Sequence, residues 1–246
     1  MKIANGIEML ECSMKAVGAV TPIYPTLIWD ESDVILVDAG SGGQDGLIEI
    51  DEKMLQAGVA FNRLNKVIIT HQDLDHIGGL PRILGNAKQK VEVISHAEEK
   101  PYIQGDRRLV KLTDEAMARL DAMPEPIRNV MKRVFENPPK APVDKVIADG
   151  EELPYCGGIM VIYTPGHTPG HICLYHKPSK TLIAGDELRV IEGKLLGPAP
   201  EHTQNLEKAK ESLKKLTQYD IEQVICYHGG LFKGDVSKCI KELAGK

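Results

Sequence analysis

The chain has 246 residues and a net charge of -5; it is 42% hydrophobic and 26% charged, and only 4% of its residues are aromatic. That balance describes a folded globular protein with an aliphatic core, and one domain spanning 1–246 is expected. The mildly acidic charge, with no Lys/Arg stripe that could track a phosphate backbone, argues against a nucleic-acid partner. No apolar segment approaches bilayer-spanning length. The start, Met1-Lys2-Ile3-Ala4-Asn5-Gly6, reaches Glu8 and Glu11 without a signal-peptide stretch, so a cytoplasmic protein with no membrane partner is expected. The five cysteines, Cys12, Cys156, Cys173, Cys226 and Cys239, are scattered and odd in number, which reads as reduced, mostly buried thiols.

Along the chain, Thr26 to Trp29, Val34 to Val37 and Val67 to Ile69 are apolar runs too short for helices and read as buried strands. Leu47 to Ala57 carries helix formers before Gly58, a residue suited to a helix C-terminus. From Glu98 to Pro142 the character changes. Leu109, Leu112, Met117 and Leu120 fall near helical spacing, with Pro124, Pro126 and Pro138-Pro139 as punctuation, and a helical insertion is predicted. Strand-like runs return at Val143 to Ile147, Ile159 to Tyr163, Ile172 to Tyr175 and Thr181 to Ala184. Amphipathic helices follow near Thr203 to Thr217 and Asp235 to Leu243, with the short strand Val224-Ile225-Cys226 between them ending beside His228.

The densest chemistry lies in His71-Gln72-Asp73-Leu74-Asp75-His76, directly after the strand Val67-Ile68-Ile69 and before Gly78-Gly79. Four potential ligands at a strand's end can be aimed at one volume, an arrangement that suits metal ions and that packing alone does not require. Taken singly, His167 in a Pro-Gly turn and Asp186 and His228 beside glycines are as readily turn residues as ligands. His96, His176 and His202 read as surface or core histidines.

These segments together resemble the metallo-β-lactamase superfamily, whose signature is His-x-His-x-Asp-His followed downstream by a His, an Asp and another His. Leu36-Val37-Asp38-Ala39-Gly40 resembles its first motif and Thr164-Pro165-Gly166-His167-Thr168-Pro169-Gly170-His171 its third. Gly185-Asp186 resembles the fourth and Tyr227-His228-Gly229-Gly230 the last. The resemblance covers nearly the whole chain, in order. It implies an α/β fold, a four-layer αβ/βα sandwich. It also implies His71, Asp73 and His167 on one metal ion, Asp75, His76 and His228 on a second, and Asp186 bridging both. His171 and Asp38 would then support the site by hydrogen bonding. Asp73 departs from the family's usual His and resembles the carboxylate of the flavodiiron branch. Zinc is the leading expectation, with manganese or iron possible, because a carboxylate is a harder ligand than imidazole.

Two divalent ions would bring four positive charges, balanced by Asp73, Asp75, Asp186 and a bridging hydroxide. The resemblance therefore implies a dinuclear hydrolase in which the hydroxide attacks a carbonyl, Asp75 orients it and Asp186 holds both ions. The bridging Asp186 resembles the glyoxalase II and lactonase branches, so esters, lactones and thioesters lead as the small-molecule substrate. The alternatives are a phosphoester hydrolase and an iron-based redox or sensing protein. The segment 98–142 is expected to cap the site. Arg189 is the preferred anchor for an acidic substrate, ahead of Arg107 and Arg108.

Overall fold

The computed structural model describes residues 1–16 and 19–245. It contains a seven-stranded sheet in the spatial order Lys2–Ala4, Ile7–Met9, Thr26–Trp29, Val34–Val37, Lys66–Ile69, Glu92–His96, Lys145–Ile147. Facing it is a six-stranded sheet in the order Glu152–Leu153, Ile159–Tyr163, Ile172–His176, Thr181–Ile183, Gln223–Cys226, Gly230–Phe232. In the first sheet the last four strands run parallel. Parallel neighbours need crossovers, and these are the helix Gly43–Gln56, the helices Leu74–Ile77 and Leu80–Asn86, and the helical segment between 98 and 142.

The strand Lys66–Ile69 explains the layering. Its alternate side chains leave on opposite faces, and both faces are covered, so Val67, Ile68 and Ile69 are all apolar. Ile68 enters the core between the sheets with Ile28, Ile35 and Ile94, against Val161, Ile172, Leu174 and Ile225 of the other sheet. Val67 and Ile69 face outward under Ile50 and Met54 of Gly43–Gln56 and Leu80 and Ile83 of Leu80–Asn86. On the far side, Ala209, Leu213 and Leu216 of Leu206–Leu216, with Val236 and Ile240 of Val236–Leu243, cover the second sheet. The result is helix, sheet, sheet, helix: the αβ/βα sandwich.

Some boundaries differ from the sequence reading. The first long helix begins at Gly43, not Leu47, and the strand expected from Val143 begins at Lys145. The strands Lys2–Ala4, Ile7–Met9 and Glu92–His96, and the hairpins Cys12–Ala16/Ala19–Ile23 and Arg189–Ile191/Lys194–Leu196, were not foreseen. Leu109 and Leu112 are buried, yet they precede any long helix in their segment. The Thr113 hydroxyl accepts from the Ala116 amide at 3.1 Å and starts the helix Asp114–Leu120, and Glu125–Glu136 follows Pro124. Among the described residues, no helix is long and apolar enough to cross a membrane.

Candidate metal centre

Side chains from four segments meet at one end of the sandwich. The chain leaves Lys66–Ile69 through Thr70 and enters the one-turn helix Leu74–Ile77, which carries Asp75 and His76 while His71 and Asp73 precede it. His167 lies between Ile159–Tyr163 and Ile172–His176, Asp186 follows Thr181–Ile183, and His228 follows Gln223–Cys226. The donors fall into two groups: His71, Asp73, His167 and Asp186, and separately Asp75, His76 and His228, with the ligand atoms of each group within 4.8 Å of one another. Asp186 reaches both. Its Oδ2 lies 3.3 Å from His167 Nε2 and 3.5 Å from His228 Nε2, and its Oδ1 lies 3.3 Å from His76 Nε2.

The surrounding shell fixes these orientations. Asp38, buried at a positive φ of 63°, accepts from the Thr70 amide at 2.8 Å and lies 2.9 Å from His76 Nδ1, which leaves His76 Nε2 facing Asp186. His171 is not among the grouped donors. Its Nε2 accepts from the Asp186 amide at 3.0 Å, so Nδ1 is the protonated nitrogen, 2.9 Å from Thr164 Oγ1. Gly185 allows this contact, since its φ is 51° and a Cβ would sit 2.7 Å from His171 Nε2. Gly229, beside His228, is likewise required: a Cβ there would meet the Val190 carbonyl oxygen at 1.9 Å. Tyr227 donates its hydroxyl to the Asp75 carbonyl at 2.6 Å.

Burial and charge oppose each other here. Burial, with the charge of nearby His76, lowers the His71 pKa to about 4. For His76, burial favours the neutral form, but the carboxylates of Asp38, Asp186 and Asp75 outweigh it and raise the pKa well above the ordinary value. His228 is likewise carried up to about 9, where hydrogen bonding and charge from Asp186 and Asp75 overcome burial. Asp73 and Asp186 are held well below the ordinary carboxylate range by neighbouring imidazoles, against the effect of burial. A carboxylate cluster of this depth needs positive charge beside it. Among the described residues, His71 Nε2, His76 Nε2 and Asp186 Oδ1 are buried with no hydrogen-bond partner, all within the cluster. Orphaned nitrogen and oxygen donors of this kind fit a divalent metal ion.

The cluster floors a cavity of about 760 Å³. Met14 and Pro22 of the N-terminal hairpin line it, as do Leu109, Leu112 and Met131 of the 98–142 segment, and Val190. Arg189 also lines it and donates Nε to the Gly197 carbonyl at 3.2 Å. Arg107 and Arg108 do not: Arg107 lies over the Tyr102 ring and Arg108 pairs with Asp114 at 2.6 Å, both on the exposed side of their loop. His96 stacks on Tyr163, His176 is buried against Ser179, and exposed His202 lines the cavity. Sequence reasoning missed Lys111, whose ammonium contacts Asp73 and lies 2.9 Å from His167 Nε2. It also missed Glu99 and Gln72, whose buried side chains hydrogen-bond each other beneath His71 and Asp73. Gln72 lies within the His71–His76 motif but is not a ligand type, and Glu99 and Lys111 carry no signal in the sequence because only the packing of the 98–142 segment brings them to the site. All five cysteines are free, with Cys12, Cys173 and Cys226 buried.

This layered fold and the convergent His/Asp cluster agree with the match of residues 18–228 to the metallo-beta-lactamase superfamily, and the chain belongs to that superfamily. Among curated relatives it is similar to the probable metallo-hydrolase YflN of Bacillus subtilis (strain 168), at 29% identity over 211 residues. That alignment covers 79% of this chain and 75% of YflN. Among solved structures it resembles the metallo-beta-lactamase family protein TTHA1429 from Thermus thermophilus, with a TM-score of 0.73 at 24% identity, covering 99% of this chain and 80% of that one. A metallo-beta-lactamase from Pontibacter korlensis superposes with a TM-score of 0.69 at 16% identity, covering 100% and 96%. At these identities the two structures attest the fold.

Proposed function

We propose that the protein is a dinuclear metal-dependent hydrolase of a small ester, lactone or thioester. The observation that carries this reading is the division of seven donor side chains into two groups with Asp186 in reach of both. On this reading His71, Asp73 and His167 would hold the first ion and Asp75, His76 and His228 the second, with Asp186 in reach of both. Zinc suits the imidazole-rich set, while the Asp73 carboxylate also admits manganese or iron. When bound, such ions supply a water ionised near neutral pH and an electrophilic clamp for a developing oxyanion. Asp75, partly exposed at the cavity floor with Oδ2 3.2 Å from His228 Nε2, would orient the attacking water and accept its proton. Asp186 keeps the two halves of the site in register.

The apolar walls accept a hydrophobic body on the substrate. Arg189, which lines the cavity with its Nε bound to the Gly197 carbonyl, anchors an acidic group on it. A second reading, phosphoester hydrolysis, is favoured by Lys111, a cation placed among the first group's donors, where it could meet a phosphate. The test is a hydrolysis panel of lactones, thioesters, esters, β-lactams and phosphodiesters, run on protein reconstituted separately with zinc, manganese and iron. Turnover of a carbonyl substrate that disappears on metal removal is expected. Metal-dependent turnover of phosphodiesters alone would select the second reading, and no metal-dependent hydrolysis at all would contradict both.

A further inference from the structure

One fully buried carboxylate, outside both donor groups, ties together the segments that carry the first group. Glu99 stands just after the strand Glu92–His96 and its side chain is sealed from solvent. Its Oε1 accepts from Thr168 Oγ1 at 2.7 Å and from the Gly170 amide at 2.6 Å, and its Oε2 accepts from Gln72 Nε2 at 2.9 Å. Gln72 Oε1 in turn accepts from the Val110 amide at 2.8 Å. The neighbours matter more than the count. Gln72 lies between His71 and Asp73, Thr168 follows His167, and Val110 precedes Lys111. Gly170 lets the loop close onto this point, since a Cβ there would lie 2.7 Å from the Glu99 amide nitrogen.

The second group has different supports. Asp38 orients His76, and the Tyr227 hydroxyl holds the Asp75 carbonyl; neither contact runs through Glu99. We propose that Glu99 is the positioning residue of the first ion's site, fixing the separation of His71 and Asp73 from His167 and tethering the 98–142 segment to the same point. The proposal rests on the two-ion reading above for the name of what is positioned. Its physical content is general. A loop histidine and a loop carboxylate on different segments converge only while something holds the segments, and a buried charged acceptor shared by three donors is a rigid way to hold them. Glu99→Gln keeps the volume but replaces an acceptor with an NH₂ donor, so at least one of the three donors faces another donor.

The test measures zinc affinity of metal-stripped protein by chelator competition in two backgrounds. In His228→Ala, where the first group is kept intact, Glu99→Gln should weaken zinc binding by about 10- to 100-fold, the usual cost of losing an outer-shell partner. In Asp73→Ala, where the second group is kept intact, the same change should leave affinity within about twofold. Thr168→Val, which removes one donor and spares the carboxylate, should weaken the first site in the same direction and covers the case in which Glu99→Gln does not fold. Equal losses in both backgrounds, or no loss in His228→Ala, would overturn the proposal. Zinc stoichiometry of the wild type judges the two-ion reading separately. One bound ion contradicts that reading, and Glu99 must then still govern the affinity of an ion held by His71, Asp73 and His167.

Discussion

Asp73 decides the character of the site, because it stands where the family usually has an imidazole and because the Lys111 ammonium competes for the same carboxylate. Asp73→Ala should lose about one equivalent of metal with the fold retained, measured by elemental analysis and circular dichroism; full occupancy by two ions would show that Asp73 is a bystander. Arg189 is testable separately. Charged hydrogen bonds are worth roughly 1.5–3 kcal/mol, so Arg189→Ala should lower kcat/KM for acidic esters relative to neutral ones by about tenfold or more. An unchanged ratio would remove it as an anchor. His71, Asp73, Asp75 and His76 could be read as donors because ligand-type residues are crowded into one short segment, whereas His167, Asp186 and His228 were legible only through the ordered resemblance to the family's motifs. Lys111, Gln72 and Glu99 could not be read this way. They are common residue types, and the contacts of Lys111 with His167 and of Glu99 with Gln72 and Thr168 are products of tertiary packing.

At the level of elements, strands buried on both faces were readable because both of their side-chain sets are apolar, as in Val67-Ile68-Ile69. The edge strand Lys2–Ala4, half-buried, and the hairpin strand Ala19–Ile23, largely exposed, carry no such signal. One exposed contact joins elements that the sequence does not associate. Asp149 accepts from the Tyr163 amide at 2.8 Å and pairs with Lys215 of Leu206–Leu216 at 2.7 Å. Burial pushes the Asp149 carboxyl up, but Lys215 and the Tyr163 amide hold it below its ordinary 3.8. A carboxyl with a depressed pKa stabilises the fold above the unfolded-chain value, and this contribution is lost as the pH falls through the folded one. Asp149→Asn should therefore reduce stability at pH 7 by a small amount, no more than about 1 kcal/mol for so exposed a pair. The difference should shrink towards zero as the pH falls from the ordinary carboxylate value through the lower folded-state one. An equal deficit across that range would contradict the ionic account.

Across the whole molecule, the inter-sheet core carries the fold, and the donor cluster buries carboxylates and unpartnered polar atoms at one end of it. Truncating Ile68, fully buried between the sheets, to Ala should cost about 2–5 kcal/mol in denaturant unfolding. Metal binding should act in the opposite sense, since ions that bind only the folded chain add about 2.7 kcal/mol at a hundredfold excess over Kd; an unchanged Tm on chelation would mean that the cluster holds no ion. The layer order was legible because short apolar runs alternate with amphipathic helices. The cavity's shape was not, since it depends on where the 98–142 segment and the N-terminal hairpin come to rest. The central claim is two ions sharing Asp186, and anomalous X-ray diffraction from crystals of the zinc-loaded protein tests it most directly. The account predicts two peaks about 4 Å apart, one beside His71, Asp73 and His167 and one beside Asp75, His76 and His228, with Asp186 between them. A single peak, or peaks remote from these residues, would contradict it.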